Sequence, residues 1–171
     1  ALSTRAALLL ARDRDDALRY DLDAGGSARS SAVLVHAGAR GGTLVARVST
    51  GAAIVGGVDI SGAPLADITW IAADGSTTRG MLAVARHAPA VLALDDGSLL
   101  VAGGAESPSA PLLERIAEAA ASVPLPATDD DGVRRGGALL PSPATGAALL
   151  LGGVDAAGAP RTDARIFDGC P

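Results

Sequence analysis

Gly56–Asp67 reads GGVDISGAPLAD, and Gly152–Asp163 reads GGVDAAGAPRTD. Between them, Gly103–Glu114 keeps the glycine doublet, with Glu106, Pro111 and Glu114 at the offsets of Asp59, Pro64 and Asp67. The three doublets are 47 and 49 residues apart. Doublets alone are weak evidence in a glycine-rich chain. Several features held in one register are the signature of a repeat, and a repeat decides the fold before any single element does.

The register extends upstream. Each doublet closes an apolar run: Ala53-Ile54-Val55, Leu100-Val101-Ala102 and Leu149-Leu150-Leu151. Five or six residues before each doublet stands a turn glycine, Gly51, Gly97 or Gly146. Glycine there permits the positive φ of a tight hairpin. Sixteen or seventeen residues before each doublet stands an arginine, Arg40, Arg86 or Arg135. A fourth, partial copy opens the chain: Asp16–Asp21 (DALRYD) matches Asp163–Asp168 (DARIFD), with Leu8–Leu10 as its apolar run and Ala11-Arg12 in place of the doublet.

Each full unit therefore reads as four short strands. Strand a follows the arginine, at Thr43–Val48, Ala90–Leu94 and Ala138–Leu140. Strand b is the run ending at the doublet. Strand c begins at the repeated acid (Asp16, Asp67, Glu114, Asp163) and carries a large apolar residue: Tyr20, the pair Trp70-Ile71, and Phe167; the third copy lacks a clear aromatic there and offers only Ile116 near that position. Strand d covers Thr77–Leu82 and Ser122–Ala127. Alanine-rich segments, Thr4–Leu18 and Pro111–Ser122, have helical propensity, but the repeat pattern outweighs it. Four strands with their turns fill about 45–50 residues. A single sheet of that size cannot cover both its faces, whereas repeated sheets stacked about an axis can.

Arginine before an apolar strand, a turn glycine, a run ending in Gly-Gly and a downstream aromatic resemble the kelch repeat of β-propellers. The resemblance implies an all-β fold of antiparallel four-stranded blades and a scaffold for binding. On this reading residues 1–171 are a single repeat domain: a partial copy at 1–26 and copies at 27–76, 77–122 and 123–171. The strands divide three, four, four and three, about three and a half blades. An open arc would leave two broad apolar faces uncovered. The missing blades come either from a longer chain, of which this is a piece, or from a two-fold homodimer whose missing strands complement one another.

Composition narrows the function. The chain has 171 residues, 49% of them apolar, and a net charge of -5, which excludes a wholly disordered chain. Lys, Asn and Gln are absent and Ala occurs 38 times, which points to a GC-rich bacterial source. An acidic chain with three aromatics (Tyr20, Trp70, Phe167) is a poor nucleic-acid surface. No apolar run reaches membrane-spanning length, and no signal peptide is visible. Cys170 stands alone, which excludes an internal disulfide or a multi-cysteine zinc site; it could pair outside this chain. His36 and His87 leave little for a metal centre, and Asp129-Asp130-Asp131-Gly132 lacks calcium-loop spacing. No cofactor and no metal are expected.

Strand direction brings Arg40 to the end of its hairpin that holds Asp59, Arg86 to Glu106, and Arg135 to Asp155. These six residues are the candidate ligand-binding face, suited to carboxylate, sugar or peptide ligands. Repetition in every unit also suits framework pairs that order loops. The expected function is a non-catalytic scaffold binding a protein or carbohydrate, secreted or on a bacterial surface. The alternative is an enzyme acting on a sugar or other polar small molecule with Arg and Asp/Glu at the channel mouth.

Overall fold

Apolar runs of four or five residues, bounded by glycine and proline, are too short for helices and form strands. The computed structural model of the chain describes residues 6–10, 16–22, 26–35, 38–47, 51–107, 109–125, 133–142 and 147–168. Among them there is no helix, so no helix long and apolar enough to cross a membrane. Four antiparallel sheets follow one another along the chain. The first is β1 (Ala6–Leu10), β2 (Asp16–Leu22) and β3 (Ala28–Leu34). The second is β4 (Thr43–Arg47), β5 (Gly51–Val55), β6 (Leu65–Ala72) and β7 (Thr77–Arg86). The third is β8 (Ala90–Ala93), β9 (Leu99–Ala102), β10 (Leu113–Ile116) and β11 (Val123–Leu125). The fourth is β12 (Ala138–Ser142), β13 (Ala147–Leu151) and β14 (Ala164–Phe167). All are meanders, each strand pairing with its chain neighbour. The division is three, four, four and three, as the repeat implies. The sheets are offset from the repeat copies: the last strands β3, β7 and β11 begin at 28, 77 and 123, where the copies begin. Alanine-rich Pro111–Ser122 is strand and turn; the strand pattern overrides its propensity.

Side-chain alternation in the strands builds three cores, one between each successive pair of sheets. In β5, Ile54 packs toward the first sheet with Ala17 and Val33, while Ala53 and Val55 pack toward the third with Leu99 and Val101. In β9, Leu100 and Ala102 turn to the fourth sheet and meet Ala148 and Leu150. The second and third sheets thus bury both faces, and all five residues of β5 and all four of β9 are buried.

Polar pins cross two of these junctions. Arg86, the last residue of β7, is fully buried and reaches into the third sheet. Its Nε donates to Glu114 Oε1 at 2.8 Å, and its other nitrogens donate to the carbonyls of Gly103 (2.5 Å) and Pro111 (2.7 Å). Glu114 Oε2 accepts from the Ala83 N–H and the Ser122 hydroxyl, both at 2.7 Å. Ala83 lies where the register of β7 against β6 shifts, and the Glu114 carboxylate takes up its N–H. Burial pulls the Arg86 pKa below its ordinary value, and Glu114 opposes that shift. Arg134 repeats the arrangement, donating to the Gly152 and Asp163 carbonyls and pairing with the Asp163 carboxylate at 3.3 Å. The repeat register had matched Arg86 with Arg40 and Arg135. The structure corrects this: Arg86 and Arg134 stand four residues before β8 and β12, and Ala39 fills that place before β4.

Arg47 makes a third cross-link. Its guanidinium carbon lies 4.6 Å from the Trp70 ring centroid, and it donates to Glu118 at 2.8 Å. At the β8–β9 turn, Asp96 accepts from the Ser98 hydroxyl at 2.6 Å and the Ser98 N–H at 2.9 Å, and Arg115 pairs with it at 2.6 Å.

Two outcomes follow. Arg86→Met strands a buried carboxylate and should destabilise by about 3–5 kcal/mol, whereas Arg86→Met with Glu114→Leu should recover only part of that, because the Ala83 N–H and the Gly103 and Pro111 carbonyls lose these partners. Urea denaturation of the three proteins measures both. Asp96 has its pKa lowered to about 2 by Ser98, with Arg115 adding to the effect. A carboxylate depressed in the folded state stabilises above its unfolded pKa of about 3.9 and loses that contribution as pH falls toward the folded value. Asp96→Asn should therefore flatten the stability change between about pH 4 and pH 2, read by thermal melting across that window.

Candidate functional site

The linkers that enter β4, β8 and β12 meet at one end of the sheets, and the glycine doublets hold them there. Gly57 N–H donates to the Arg86 carbonyl at 3.0 Å, and Gly104 N–H to the Arg134 carbonyl at 2.6 Å. Both glycines have positive φ, 136° and 80°. A Cβ on Gly57 would run into the Gly38 carbonyl. The first two doublets are thus the sockets that seat the linkers into β8 and β12.

One residue beyond the buried position stand Arg40, His87 and Arg135, three residues before β4, β8 and β12. Each linker makes main-chain bonds at this level: Val58 N–H to the Arg40 carbonyl (3.0 Å), His87 N–H to the Gly104 carbonyl (2.7 Å) and Arg135 N–H to the Val154 carbonyl (3.0 Å). One residue further, Gly41, Ala88 and Gly136 all adopt left-handed conformations, with φ of 72°, 48° and 64°. They join in series. Ala88 N–H donates to the Gly41 carbonyl at 2.7 Å, and Gly136 N–H to the Ala88 carbonyl at 2.8 Å.

Beside this backbone ladder opens a recess of about 430 Å³, lined by Leu10, Arg40, Gly41, Gly42, Val58, His87 and Ala88. Arg40 is the charged side chain in its wall among the described residues, and one guanidinium nitrogen donates to the Asp59 carbonyl at 2.9 Å. The His87 ring lies over Gly41, where a Cβ would come within 2.9 Å of it. Val58 and Leu10 give the recess an apolar side. A guanidinium beside an apolar wall suits a ligand with an anionic or hydroxyl-rich group and a hydrocarbon face.

The predicted site residues divide. Arg40 is in the recess, and Asp59 lies at the same hairpin end but offers Arg40 its carbonyl. The Asp59 carboxylate orders its own loop, accepting from the Ser61 hydroxyl (2.6 Å) and N–H (2.8 Å) and the Ala63 N–H (2.9 Å). Those bonds, the Ser61 hydroxyl first, lower its pKa. Asp155 does the same for its loop, accepting from Ala157 and Ala159 at 2.9 Å each. Glu106 is exposed. Arg86 is a buried pin, bonded to Glu114, and lies outside the recess. Arg135 is partly buried, and its Nε is enclosed with no hydrogen-bond partner. The residue missed from sequence is His87, which takes the rim place in the third sheet. His36, Asp129-Asp130-Asp131-Gly132 and Cys170 lie outside the described residues. Among the described residues, no three His, Cys, Asp or Glu side chains gather as a metal site. A second crevice, of about 350 Å³, lies at Arg19, Asp21 and Asp74. There Arg19 is bonded to Asp21 at 2.8 Å.

No family model and no curated protein matches the chain. Among solved structures, that of YjhT is similar, with a TM-score of 0.61 at 16% sequence identity over 88% of this chain. The match covers 48% of YjhT, so this chain spans about half the length of that one. The likeness is one of fold.

Ala88 is the non-glycine rung of the ladder. A left-handed conformation costs an L-residue about 1–2 kcal/mol, and glycine gives back about 0.5–1 kcal/mol in unfolded-chain entropy. Ala88→Gly should stabilise the protein by about 0.5–1 kcal/mol, measured by chemical denaturation, and should leave the recess intact.

Proposed function

We propose that the chain is an arc of a kelch-like β-propeller and serves as a non-catalytic scaffold that binds a protein or carbohydrate. One observation carries this reading. The first strands β4, β8 and β12 neighbour one another in series, and the Gly41–Ala88–Gly136 ladder joins their entries. Sheets that converge by their first strands, with the later strands running outward, are arranged as blades about an axis. The rim at that end then carries Arg40, His87 and Arg135, with the recess between Arg40 and His87 as the ligand site. No carboxylate lines the recess among the described residues, which favours binding over acid–base chemistry on a sugar. In the same reading the protein is secreted or surface-bound in a GC-rich bacterium.

The test uses three probes: a neutral oligosaccharide, a uronate oligosaccharide and an acidic peptide. Saturation-transfer NMR should detect at least one of them on the native chain. Arg40→Ala should weaken that binding about tenfold or more, as expected for loss of a charge-assisted hydrogen bond. Circular dichroism should be unchanged. Binding of none of the three, or binding indifferent to Arg40, defeats the reading.

A further inference from the structure

Charge is balanced differently at the rim than in the rest of the molecule. Acids outnumber arginines 19 to 14, so an arginine has carboxylates to spare. Arg19, Arg47, Arg86, Arg115 and Arg134 each pair with one, at 2.6–3.3 Å. Arg29 and Arg79 stand exposed on the outer strands β3 and β7, where water solvates their charge. Arg40 and Arg135 have neither provision in full. Both are partly buried, and among the described residues no carboxylate pairs with either. Arg40 donates to the Asp59 carbonyl, which carries no charge to match its own, and the Arg135 Nε is enclosed without a partner. A guanidinium removed from water without a counter-charge is costly, and an anion arriving at the rim relieves that cost.

The acids at this end of the sheets lie to one side of the arginines. Asp59, Glu106 and Asp155 belong to the loops that join β5 to β6, β9 to β10 and β13 to β14. Those loops sit over the second and third strands of each sheet, whereas Arg40, His87 and Arg135 enter the first strands. The Asp59 and Asp155 carboxylates hold their own loops, and Glu106 is exposed. Uncompensated positive charge therefore stands over the first strands and negative charge flanks it. Such a field draws a single anionic group inward and opposes a second one that extends outward along the sheets. The recess has a volume of about 430 Å³, which suits one small molecule, and Val58 and Leu10 line it with hydrocarbon.

We infer that the ligand of the recess is a compact monocarboxylate, with its acid group on Arg40, its hydrocarbon face on Val58 and Leu10, and no further negative charge reaching toward Asp59 or Glu106. The inference rests on the binding reading above and narrows it to one chemical class. Carboxylate and guanidinium match as a planar, charge-assisted pair, and the four other N–H donors of Arg40 supply the fork.

The test compares acids with neutral amides of the same shape: galacturonate with galacturonamide, and cyclohexanecarboxylate with cyclohexanecarboxamide. The chain is titrated with each, and the Gly41 and Ala88 amide signals are followed by NMR. At least one acid should bind, and its amide should bind about tenfold more weakly or not at all. Arg40→Gln removes the charge and keeps an N–H donor. It should bring the acid down to the level of its amide while leaving the amide and the circular dichroism unchanged. Tetragalacturonate, with four carboxylates, should bind more weakly than the tighter of the two monoacids. The inference is overturned if neither acid binds, if an amide binds as tightly as its acid, if acid binding survives Arg40→Gln, or if tetragalacturonate binds most tightly of all. A neutral oligosaccharide that binds through Arg40 while both acids fail overturns this inference and leaves the scaffold reading standing. Failure of every probe in both experiments removes the two together.

Discussion

A sheet with apolar side chains on both faces has no side to turn to water. That constraint governs this chain. Ile54 and Val55 are adjacent in β5, point to opposite faces, and are both fully buried. Neither could be buried if the second sheet stood alone. Each inner sheet is completed by its neighbours, so stability is shared across the stack and not held in separate units. Burial of this kind is roughly proportional to area and weakly directional, and by itself would let the sheets slide. The pins supply direction. Arg86 leaves the second sheet and is held by a carboxylate and two carbonyls of the third, which fixes both distance and angle.

Strand positions were largely legible in the sequence, because short apolar runs ending in Gly-Gly leave few other conformations. The acids at Glu114 and Asp163 were legible as positions but not as partners. Counting back from the doublet places Arg86 and Arg135 in one register. Counting back from the strands places Arg86 with Arg134. The two counts differ because the fourth sheet has one more residue between its linker and its doublet than the third, and hairpin length is free to vary where no core residue is displaced. Helical propensity misleads in Pro111–Ser122 for a related reason. Alanine and glutamate suit a helix in isolation, but Glu114 gains more from a buried guanidinium than a solvated helix face could offer.

His87 was legible only as a histidine beside an arginine. Its place on the rim depends on Arg86 being driven inward, and nothing local in the sequence distinguishes the inward arginine from the outward one. The structure separates them by environment: Arg86 and Arg134 are buried, while Arg40 lines the recess and Arg135 is partly exposed. Two interleaved series, one structural and one at the rim, had merged into one in the repeat register.

The second sheet shows why that separation bears on binding. Where the third and fourth sheets have a buried arginine before the rim residue, the second has Ala39, and Leu65 lies against the neighbouring Gly38. No guanidinium from that linker reaches Asp67. In the other two linkers the pin fixes the chain and the rim residue inherits its position. Here Arg40 holds its own place through the Asp59 carbonyl, to which one guanidinium nitrogen donates at 2.9 Å. A scaffold built from repeated contacts is least constrained where a repeat omits one, and the omission falls beside the recess. In the proposed binding reading, the departure from symmetry at Ala39–Arg40 is the local reason why ligand contact falls to this rim position ahead of its equivalents.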